Sequence, residues 1–388
     1  MFRIQTMNNI SQEGLSLFPK DSYEVANEIS NPDAILVRSA DLHNIKIPES
    51  VLAIVRAGAG VNNIPVEMCS ERGIAVFNTP GANANAVKEL VLASLFLSSR
   101  KITDAISWCK TLSLNSEDGA KLIEKGKSNF IGPEIRGKTL GIIGLGAVGV
   151  MVANDASALG MEVIGHDPYI SVDSAWNLSR TVKNAESIDE IMSKSDYISI
   201  HVPYSEKTKD ILNAGKIKIM KRGARLINLA RGGLAKEGDI ISALDRGQLS
   251  VYITDFPTEE LIAHNKVICI PHLGASTPEA EINCAVMAVK EVMDFLETGN
   301  IKNSVNFPRC SLNKYSPYRL LVTNKNIPNM VGQITTLLAG MKINITDLIN
   351  HHQGEYAYNI IDTEQKMPQD IINNLKNIPG IIRVRTIE

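Results

Sequence analysis

Residues 139–168 read TLGIIGLGAVGVMVANDASALGMEVIGHDP. A short apolar run, 139–143, precedes a glycine-rich turn, and a helix-compatible stretch follows the turn as far as Gly160. A second apolar run, 161–165, leads to the acidic residue Asp167. Because strand, tight turn, helix, strand and acid fill the length of one βαβ unit, the segment predicts a doubly wound, parallel α/β sheet.

The turn has the residues expected of a dinucleotide-binding site, namely Gly144, Gly146, Ala147, Val148 and Gly149. A Cβ here would keep the backbone away from a pyrophosphate, whose charge is attracted by the free N–H groups of the following helix. Asp167 comes eighteen residues after Gly149, where a carboxylate accepts hydrogen bonds from the adenine ribose and repels a 2′-phosphate. We therefore expect NAD rather than NADP; a purely structural tight turn is the alternative.

The composition is typical of a soluble globular protein. The chain has 388 residues, of which 44% are hydrophobic and 21% charged, and its formal net charge is −2. Such a balance gives no sign of a nucleic-acid partner, and the sequence has no apolar stretch of membrane-spanning length and no signal-peptide pattern. The five cysteines are scattered without C-x-x-C spacing. We therefore expect reduced thiols, no metal site and a cytoplasmic protein.

The order of predicted elements divides the chain into domains. Strands and helices alternate over the first hundred residues, with a helix predicted over Ser22–Ile29, and this alternation indicates a first parallel sheet. A long helix predicted over 277–299 returns the chain to that sheet. Residues 1–97 and 278–308 are therefore predicted to form a discontinuous substrate-binding domain, and residues 98–277 the NAD-binding Rossmann domain.

The C-terminal part has a different pattern. Residues 309–317 are aperiodic and are predicted to be a linker. From residue 318 to residue 388 the pattern reads strand, helix, strand, strand, helix, strand. This order predicts a small ferredoxin-like βαββαβ domain.

Three polar side chains follow predicted strands of the nucleotide-binding domain. Arg231, Glu260 and His272 each come after a different strand, and ligands of open α/β sheets bind at the carboxyl ends of the strands. Oxidation of an alcohol beside a carboxylate requires these side chains: an imidazole takes the hydroxyl proton, a carboxylate orients the imidazole, and a guanidinium holds the substrate carboxylate. We predict these roles for His272, Glu260 and Arg231, with Glu259 as the alternative carboxylate.

The chain resembles the family of D-isomer-specific 2-hydroxyacid dehydrogenases. The resemblance rests on RS at 38–39, RAGAGV at 56–61, FNTP at 77–80, RGG at 231–233 and PHLGAST at 271–277. It implies two α/β domains, NAD as cofactor and Arg231, Glu260 and His272 as catalytic residues. The chain most resembles members that oxidise 3-phospho-D-glycerate to 3-phosphooxypyruvate, the first step of L-serine biosynthesis. Reduction of hydroxypyruvate, glyoxylate or another 2-keto acid, and a non-catalytic NAD-sensing regulator, are the alternatives.

The same resemblance implies binding residues. For the cofactor these are Asp255, expected at the nicotinamide carboxamide, and His201, Val202, Pro203, Ala230 and Gly274. For a small phosphorylated hydroxy acid they are Arg38, Ser39, Arg56, Ala57, Gly58 and Asn83. The two arginines supply the charge that a phosphorylated acid requires; solvated surface arginines are the alternative. Lys88 either adds charge to the cleft or lies on a helix surface.

The last seventy residues resemble an ACT domain, an amino-acid-sensing module. The resemblance implies an L-serine site formed by Asn324, Asn326 and Asn344, with serine as a feedback effector. A dimerisation module without a ligand is the alternative, because asparagine is also ordinary in turns. The resemblance further implies a homodimer or a homotetramer.

Overall fold

The computed structural model describes residues 1–112, 119–313 and 316–388. Part of the predicted linker 309–317 therefore lies outside the described residues. The chain divides into two compact units, Met1–Asn83 with Pro278–Glu388, and Ala84–Thr277. Within the described ranges, no helix is both long and apolar enough to cross a bilayer.

The first unit begins with a parallel sheet of five strands. The strand order is β2-β1-β3-β4-β5, and the strands are β1 (Phe2–Met7), β2 (Tyr23–Ala26), β3 (Ala34–Val37), β4 (Ala53–Arg56) and β5 (Ala75–Phe77). Two short helices, α1 (Gln12–Leu15) and α2 (Val66–Glu71), connect them. Strands β3 and β5 are buried throughout, as is expected for a parallel sheet covered on both faces.

The helix predicted over Ser22–Ile29 is wrong, because these residues contain strand β2. Tyr23 is buried and Val25 is half-buried, whereas Glu24 and Ala26 are exposed. This alternation has the period of two that is typical of a strand. The strand pairs in parallel with β1 and lies at the edge of the sheet.

The second unit contains a parallel sheet of seven strands in the order β12-β11-β10-β9-β6-β7-β8. The strands are β6 (Thr139–Ile143), β7 (Glu162–His166), β8 (Lys183–Asn184), β9 (Tyr197–Ile200), β10 (Ala224–Asn228), β11 (Leu249–Thr254) and β12 (Val267–Cys269). The helices are α3 (Ala84–Ser99), α4 (Ile102–Thr111), α5 (Gly119–Gly126), α6 (Ala147–Ala158), α7 (Val172–Asn177), α8 (Ile188–Lys194), α9 (Ala214–Lys218), α10 (Glu237–Asp245) and α11 (Glu259–Ala263). The strand order reverses between β6 and β9, which is where such sheets bind ligands. The doubly wound α/β class predicted from the sequence is confirmed.

Helix α12 (Pro278–Thr298) returns the chain to the first unit. Proline at the first helical position suits the start of a helix, and Gly299, with a φ of 74°, ends it. The C-terminal elements are β13 (Tyr318–Lys325), α13 (Met330–Gly340), β14 (Ile345–Gln353), β15 (Tyr356–Thr363), α14 (Gln369–Lys376) and β16 (Ile381–Ile387). Their antiparallel sheet has the order β14-β15-β13-β16. This confirms the predicted βαββαβ arrangement.

The two sheets of the first unit share one apolar core. Leu321 and Ile360 of the C-terminal sheet belong to the same buried cluster as Val55 and Phe77 of the N-terminal sheet and Phe295 of α12. Side chains of β13 and β15 that point away from α13 and α14 therefore pack against the N-terminal part of the unit. Burial of this apolar surface stabilises both sheets together.

A buried ion pair lies at this junction. The Arg319 and Asp362 side chains are 0% and 1% exposed, and two hydrogen bonds of 2.6 and 2.8 Å join them. The guanidinium also donates to the carbonyl oxygens of Thr298, at the end of α12, and Leu312. The C-terminal sheet is thus fixed to the end of α12 by directional bonds as well as by apolar packing.

Candidate active site

The glycine-rich turn after β6 has the backbone that its sequence predicts. Gly144 has a φ of 94°, and a Cβ there would lie 3.0 Å from the backbone carbon of His201. A Cβ at Gly149 would lie 2.0 Å from the carbonyl oxygen of Gly144, so this glycine lets α6 pack onto the turn. At Gly146, by contrast, the described residues other than its chain neighbours place no atom within 4 Å of such a Cβ. The turn therefore leaves open space at the start of α6, where a phosphate is attracted by the helix N-terminus.

Asp167 is anchored beside this turn, at the end of β7. Its Oδ2 accepts a 2.8 Å hydrogen bond from the backbone N–H of Leu145, and its Oδ1 accepts one of 2.8 Å from that of Tyr169. A carboxylate has about four lone-pair sites, so both oxygens can still accept from ribose hydroxyls. The side chain is thus held in the place where the sequence predicts the ribose contact.

His201 borders the turn on the β9 side. Its backbone N–H donates to the carbonyl oxygen of Ile143 at 2.7 Å, and its Nε2 lies 2.9 Å from Oγ of Ser199. Desolvation by burial lowers the pKa of this half-buried imidazole to about 4, so the ring is neutral at neutral pH. Half-buried Val202 and exposed Pro203 follow it at the same edge of the sheet.

Arg231 lies in the loop that follows β10. Its guanidinium is exposed and donates to the carbonyl oxygen of Ala230 at 2.7 Å. The loop is held by Asn228, which is 1% exposed: its Nδ2 donates to the carbonyl oxygen of Arg231 at 2.9 Å, and its Oδ1 accepts from the N–H of Ala230 at 3.2 Å. The buried amide of Asn228 therefore fixes the loop while the Arg231 side chain stays accessible.

His272 lies in the loop that follows β12, in a left-handed conformation with a φ of 54°. Asp255, which is 1% exposed, clamps this loop. Its Oδ1 accepts from the N–H of Leu273 and its Oδ2 from the N–H of Gly274, both at 2.8 Å. Left-handed backbone costs energy for residues other than glycine, so these bonds hold His272 in place. The nicotinamide contact of Asp255 stays a prediction beside this structural role.

Phe256 brings the Arg231 and His272 loops together. Its ring lies edge-on to the imidazole of His272, with ring centroids 5.1 Å apart. A Cβ at Gly232 would lie 3.6 Å from the Cβ of Phe256. Gly232, Phe256 and His272 line the same cavity of about 530 Å³, so the guanidinium and the imidazole belong to adjoining loops.

The predicted carboxylate partner is less closely placed. Glu259 and Glu260 are exposed residues in the first turn of α11. Thr258 caps this helix by accepting from the N–H of Leu261, and its hydroxyl donates to Glu237. No hydrogen bond or ion pair seen in the described part of the chain joins His272 to either glutamate. The choice between Glu259 and Glu260 remains a prediction.

The predicted substrate arginines lie at the carboxyl ends of β3 and β4 in the first unit. Nε of Arg56 donates to the carbonyl oxygen of Arg38 at 2.9 Å, and its guanidinium also donates to the carbonyl oxygen of Gly60 at 2.6 Å. The guanidinium of Arg38 lies 2.6 Å from the carboxylate of Glu281. This hydrogen bond raises the pKa of Arg38 and lowers that of Glu281. The two arginine loops are therefore bonded together.

The other predicted substrate residues adjoin these arginines in the chain. Ser39 is exposed, and its backbone N–H donates to Oδ1 of Asn8 at 3.2 Å. Ala57 is buried. A Cβ at Gly58 would lie 3.0 Å from the Arg56 guanidinium, so glycine leaves room for that side chain. Asn83 is half-buried and precedes α3.

The sequence of the chain is similar to a family model and to several enzymes. Residues 92–274 match the family model "D-isomer specific 2-hydroxyacid dehydrogenase, NAD binding domain". The chain is 35% identical over 346 residues to D-3-phosphoglycerate dehydrogenase of Methanocaldococcus jannaschii, covering 86% of this chain and 62% of that protein. It is 32% identical over 378 residues to the Bacillus subtilis enzyme of the same name, covering 92% of this chain and 68% of that enzyme.

The chain belongs to the D-isomer-specific 2-hydroxyacid dehydrogenases. Among solved structures, it resembles NAD-bound 3-phosphoglycerate dehydrogenase of Entamoeba histolytica, with 27% identity and a TM-score of 0.60 over 79% of this chain and 98% of that one. The domain match confirms the prediction of an NAD-binding domain. The chain spans less than two thirds of the length of the Methanocaldococcus relative.

Lys88 pairs with a carboxylate of a neighbouring helix. Its ammonium lies 2.8 Å from Oδ2 of Asp155, and its side chain is 13% exposed. The pair joins α3 to α6 within the second unit. Lys88 therefore links two helices of the second unit through an ion pair and is not an unpaired surface charge.

The three asparagines predicted to bind L-serine do not have equivalent surroundings. Asn324 is 1% exposed; its Oδ1 accepts from Nδ2 of Asn359, and its own Nδ2 donates to the carbonyl oxygen of Lys325, both at 2.7 Å. Asn326 is exposed and donates to the carbonyl oxygen of Gly354 at 3.2 Å, and Asn344 is exposed. The amide of Asn324 thus stabilises the sheet, whereas Asn326 and Asn344 are accessible.

Two residues of the site were not predicted to act there. Asn228 holds the Arg231 loop, and Phe256 packs against His272. Asn228 is a polar residue at the end of a buried strand, which is a signal that sequence reasoning could have used. No local pattern marks Phe256, because its contact depends on two loops that are distant in sequence.

Proposed function

We propose that the protein oxidises 3-phospho-D-glycerate to 3-phosphooxypyruvate with NAD, in the first step of L-serine biosynthesis. The observation that carries the proposal is the position of Arg231 and His272 on loops that Phe256 brings together, at the carboxyl edge of a nucleotide-binding sheet. The names of the relatives, which are D-3-phosphoglycerate dehydrogenases, support the choice of substrate. Hydroxypyruvate and glyoxylate are the competing substrates.

The residues of the second unit fit NAD. The open space at Gly146 would accommodate a pyrophosphate, and the two oxygens of Asp167 would accept hydrogen bonds from ribose hydroxyls. NAD, when bound, supplies the acceptor for the hydride that leaves the alcohol carbon. A carboxylate at position 167 disfavours the 2′-phosphate of NADP by charge repulsion.

The side chains of the protein bind the acid and remove its proton. The Arg231 guanidinium is exposed and pairs with the substrate carboxylate. The His272 imidazole accepts the hydroxyl proton as general base, and the edge contact with Phe256 limits the rotation of its ring. Glu260, or its neighbour Glu259, is proposed to stabilise the protonated imidazole. Arg38 and Arg56 are proposed to bind the phosphate.

The proposal extends to regulation and assembly. L-Serine is proposed to bind the C-terminal domain near Asn326 and Asn344, which are accessible. The domain boundaries are proposed to be those predicted from the sequence, and the protein is proposed to be a cytoplasmic homodimer or homotetramer. Titration calorimetry with L-serine tests the effector, and the absence of heat together with unaltered kinetics would remove it.

A substrate panel tests the reaction itself. NADH formation from 3-phospho-D-glycerate, D-lactate and D-glycerate, and NADH consumption with hydroxypyruvate and glyoxylate, are measured with NAD(H) and NADP(H). We expect the highest kcat/KM with 3-phospho-D-glycerate and NAD. A higher value with an unphosphorylated 2-keto acid would assign the protein to the competing substrate.

Two variants at one ion pair test the phosphate site. Arg38→Ala removes a charge-assisted hydrogen bond worth about 1.5–3 kcal/mol, so KM for the phosphorylated acid rises about tenfold or more. Glu281→Gln removes the carboxylate that competes for Arg38, so KM does not rise. Unchanged turnover of the phosphorylated acid by Arg38→Ala would refute the phosphate assignment.

A further inference from the structure

A second cavity lies along one face of α12 in the first unit, and the proposed reaction does not use it. Its volume is about 560 Å³. Val286, Met287, Lys290, Glu291 and Asp294 line it at helical spacing, and Lys302 from the following loop completes its charged part. The cavity therefore combines a short apolar surface with charges of both signs.

Glu291 is the unusual residue of this cavity. It is 8% exposed, and its Oε1 accepts a hydrogen bond from Asn303. Its buried Oε2 accepts no hydrogen bond from the described residues. Leaving a buried acceptor unpaired costs free energy, and desolvation by burial raises the pKa of this carboxyl to about 7. A donor from a ligand in the cavity removes that cost.

The other charges of the cavity are an ion pair and one further cation. The ammonium of Lys302 lies 2.6 Å from Oδ2 of Asp294, whose Oδ1 accepts from the hydroxyl of Thr298 at 2.8 Å. Lys290 is exposed, and no hydrogen bond or ion pair to its ammonium is seen within residues 1–112, 119–313 and 316–388. A ligand thus meets one unpaired acceptor inside the cavity and one cation at its rim.

We propose that this cavity binds a small zwitterion, whose ammonium group donates to Glu291 and whose anionic group lies against Lys290. A short carbon chain between the two charges contacts Val286 and Met287. An ammonium beside Glu291 stabilises the ionised carboxylate, because opposite charges favour each other's charged form. The ligand therefore displaces the proton that Glu291 holds at and below neutral pH.

The cavity is connected to the substrate arginines by hydrogen bonds. The amide of Asn303 donates to Glu291, and the carbonyl oxygen of Asn303 accepts from the backbone N–H of Asn78 at 3.4 Å. The side chain of Asn78 donates to the carbonyl oxygen of Ala59 at 2.6 Å, in the same loop as Arg56. Two asparagines thus connect Glu291 to the Arg56 loop through hydrogen bonds.

Titration calorimetry with the full-length protein tests the proposal without requiring dehydrogenase activity. The probes are glycine and β-alanine as zwitterions, ethylamine as a cation and propionate as an anion. We expect the better zwitterion to bind at least about tenfold more tightly than either singly charged probe, since the second charge pair contributes about 1.4 kcal/mol or more. At pH 7, comparison of two buffers with different ionisation enthalpies shows release of about half a proton.

Variants of the cavity residues test whether the zwitterion binds at Glu291 and Lys290. Glu291→Gln keeps the size of the side chain, and it is expected to weaken the zwitterion about tenfold or more and to abolish proton release. Lys290→Ala weakens the zwitterion but not ethylamine. The matched control is Glu279→Gln, an exposed glutamate in the first turn of the same helix, which leaves binding unchanged.

A cavity-filling variant covers the case in which Glu291→Gln fails to fold. Met287→Trp occupies the space that the ligand requires, and circular dichroism confirms its fold. It is expected to abolish the heat of binding. Unchanged zwitterion binding in a folded Glu291→Gln or Met287→Trp variant, or equal affinity for propionate, would overturn the proposal, as would no heat with any probe.

Discussion

The loop of His272, the proposed general base, is held in place by a residue that follows a different strand. The positive φ of His272 places the imidazole at the end of a tight turn in which its own N–H donates to the carbonyl oxygen of Ile270. The next two N–H groups bind the buried carboxylate of Asp255. The carboxylate thus determines where the imidazole lies, and this makes Asp255 a positioning residue.

Asp255→Asn is expected to impair both stability and turnover. The amide nitrogen of asparagine would face one of the two backbone N–H groups that the carboxylate now binds, so a buried donor loses its acceptor. The expected loss of unfolding free energy is about 1–3 kcal/mol, and kcat falls about tenfold or more because His272 is displaced. Urea unfolding and NADH formation measure the two effects.

An exposed aspartate provides the control for this prediction. Asp173 lies in the first turn of α7 and is exposed, so Asp173→Asn changes neither quantity appreciably. Wild-type turnover by Asp255→Asn would show that the clamp does not set the position of His272.

The pH dependence of stability depends on His201. The pKa of its imidazole is lowered from 6.5 to about 4 in the folded protein, so the unfolded chain binds a proton that the folded chain does not. The contribution of the neutral His201 imidazole to the free energy of unfolding is complete above pH 6.5. It decreases as the pH falls towards 4, by about 2 kcal/mol between pH 7 and pH 5. Urea unfolding at the two pH values should therefore show a smaller loss for His201→Gln than for the wild type.

Comparison of variants is required, because Glu291 has the opposite effect. Its raised pKa makes the fold less stable as the pH rises through the same range. The wild-type curve combines the two contributions, whereas the difference between wild type and His201→Gln isolates the imidazole. Identical pH dependence of the two proteins would show that His201 titrates normally.

At the residue scale, the sequence predicted types of side chain better than it predicted their contacts. Arg231 and His272 follow strands, and strand ends can be recognised locally. The bonds of Asp255 to the His272 loop depend on backbone N–H groups eighteen and nineteen residues away, which no spacing rule specifies. The prediction of Glu260 rests on its sequence spacing to Arg231. Spacing does not determine the direction in which the side chains of the first turn of a short helix point.

At the scale of elements, two glycines of the glycine-rich turn have different roles, one in folding and one in binding. A Cβ at Gly149 meets a carbonyl oxygen, whereas a Cβ at Gly146 meets open space. Gly149→Ala is therefore expected to destabilise the second unit by about 1–3 kcal/mol through overpacking. Gly146→Ala keeps its stability but binds NAD about tenfold or more weakly, because the methyl group lies where the pyrophosphate approaches.

Thermal unfolding and NAD titration by fluorescence measure this pair of variants. Gly238→Ala is the control, because it adds a methyl group that meets no atom within 4 Å among the described residues and lies in α10, away from the turn. Equal NAD affinity of Gly146→Ala and the wild type would place the pyrophosphate elsewhere.

Elements with strong periodicity were predicted well, and weak ones were not. Strands β3 and β5 are buried at every residue, and such continuous burial leaves an apolar run in the sequence. Strand β2 was predicted as a helix. It has four residues and lies at a sheet edge, so only Tyr23 and Val25 show the apolar pattern of the strand. Two apolar residues do not distinguish the strand period of 2.0 residues from the helix period of 3.6 residues.

For the molecule as a whole, the sequence predicted a linker and a separate C-terminal domain. The aperiodic stretch 309–317 supports that prediction. It contains no information about contacts between the residues before it and the residues after it. The structure places Leu321 and Ile360 in the core of the N-terminal sheet and buries Arg319 against the end of α12. Contacts between distant parts of the chain thus join the C-terminal sheet to the N-terminal sheet, and no local pattern in the sequence specifies them.

Arg319→Met tests whether the two sheets of the first unit unfold together. The change leaves the carboxylate of Asp362 buried without its partner, at a cost of about 3–5 kcal/mol. If the sheets share one core, hydrogen exchange accelerates in β3 and β4 as well as in β13 and β15, because sub-global opening exposes them as one cooperative unit. The double variant Arg319→Met, Asp362→Leu removes both charges and is the control, since it should recover most of the lost protection. Faster exchange confined to the C-terminal strands would show that this sheet opens by itself, as a linker-connected domain would.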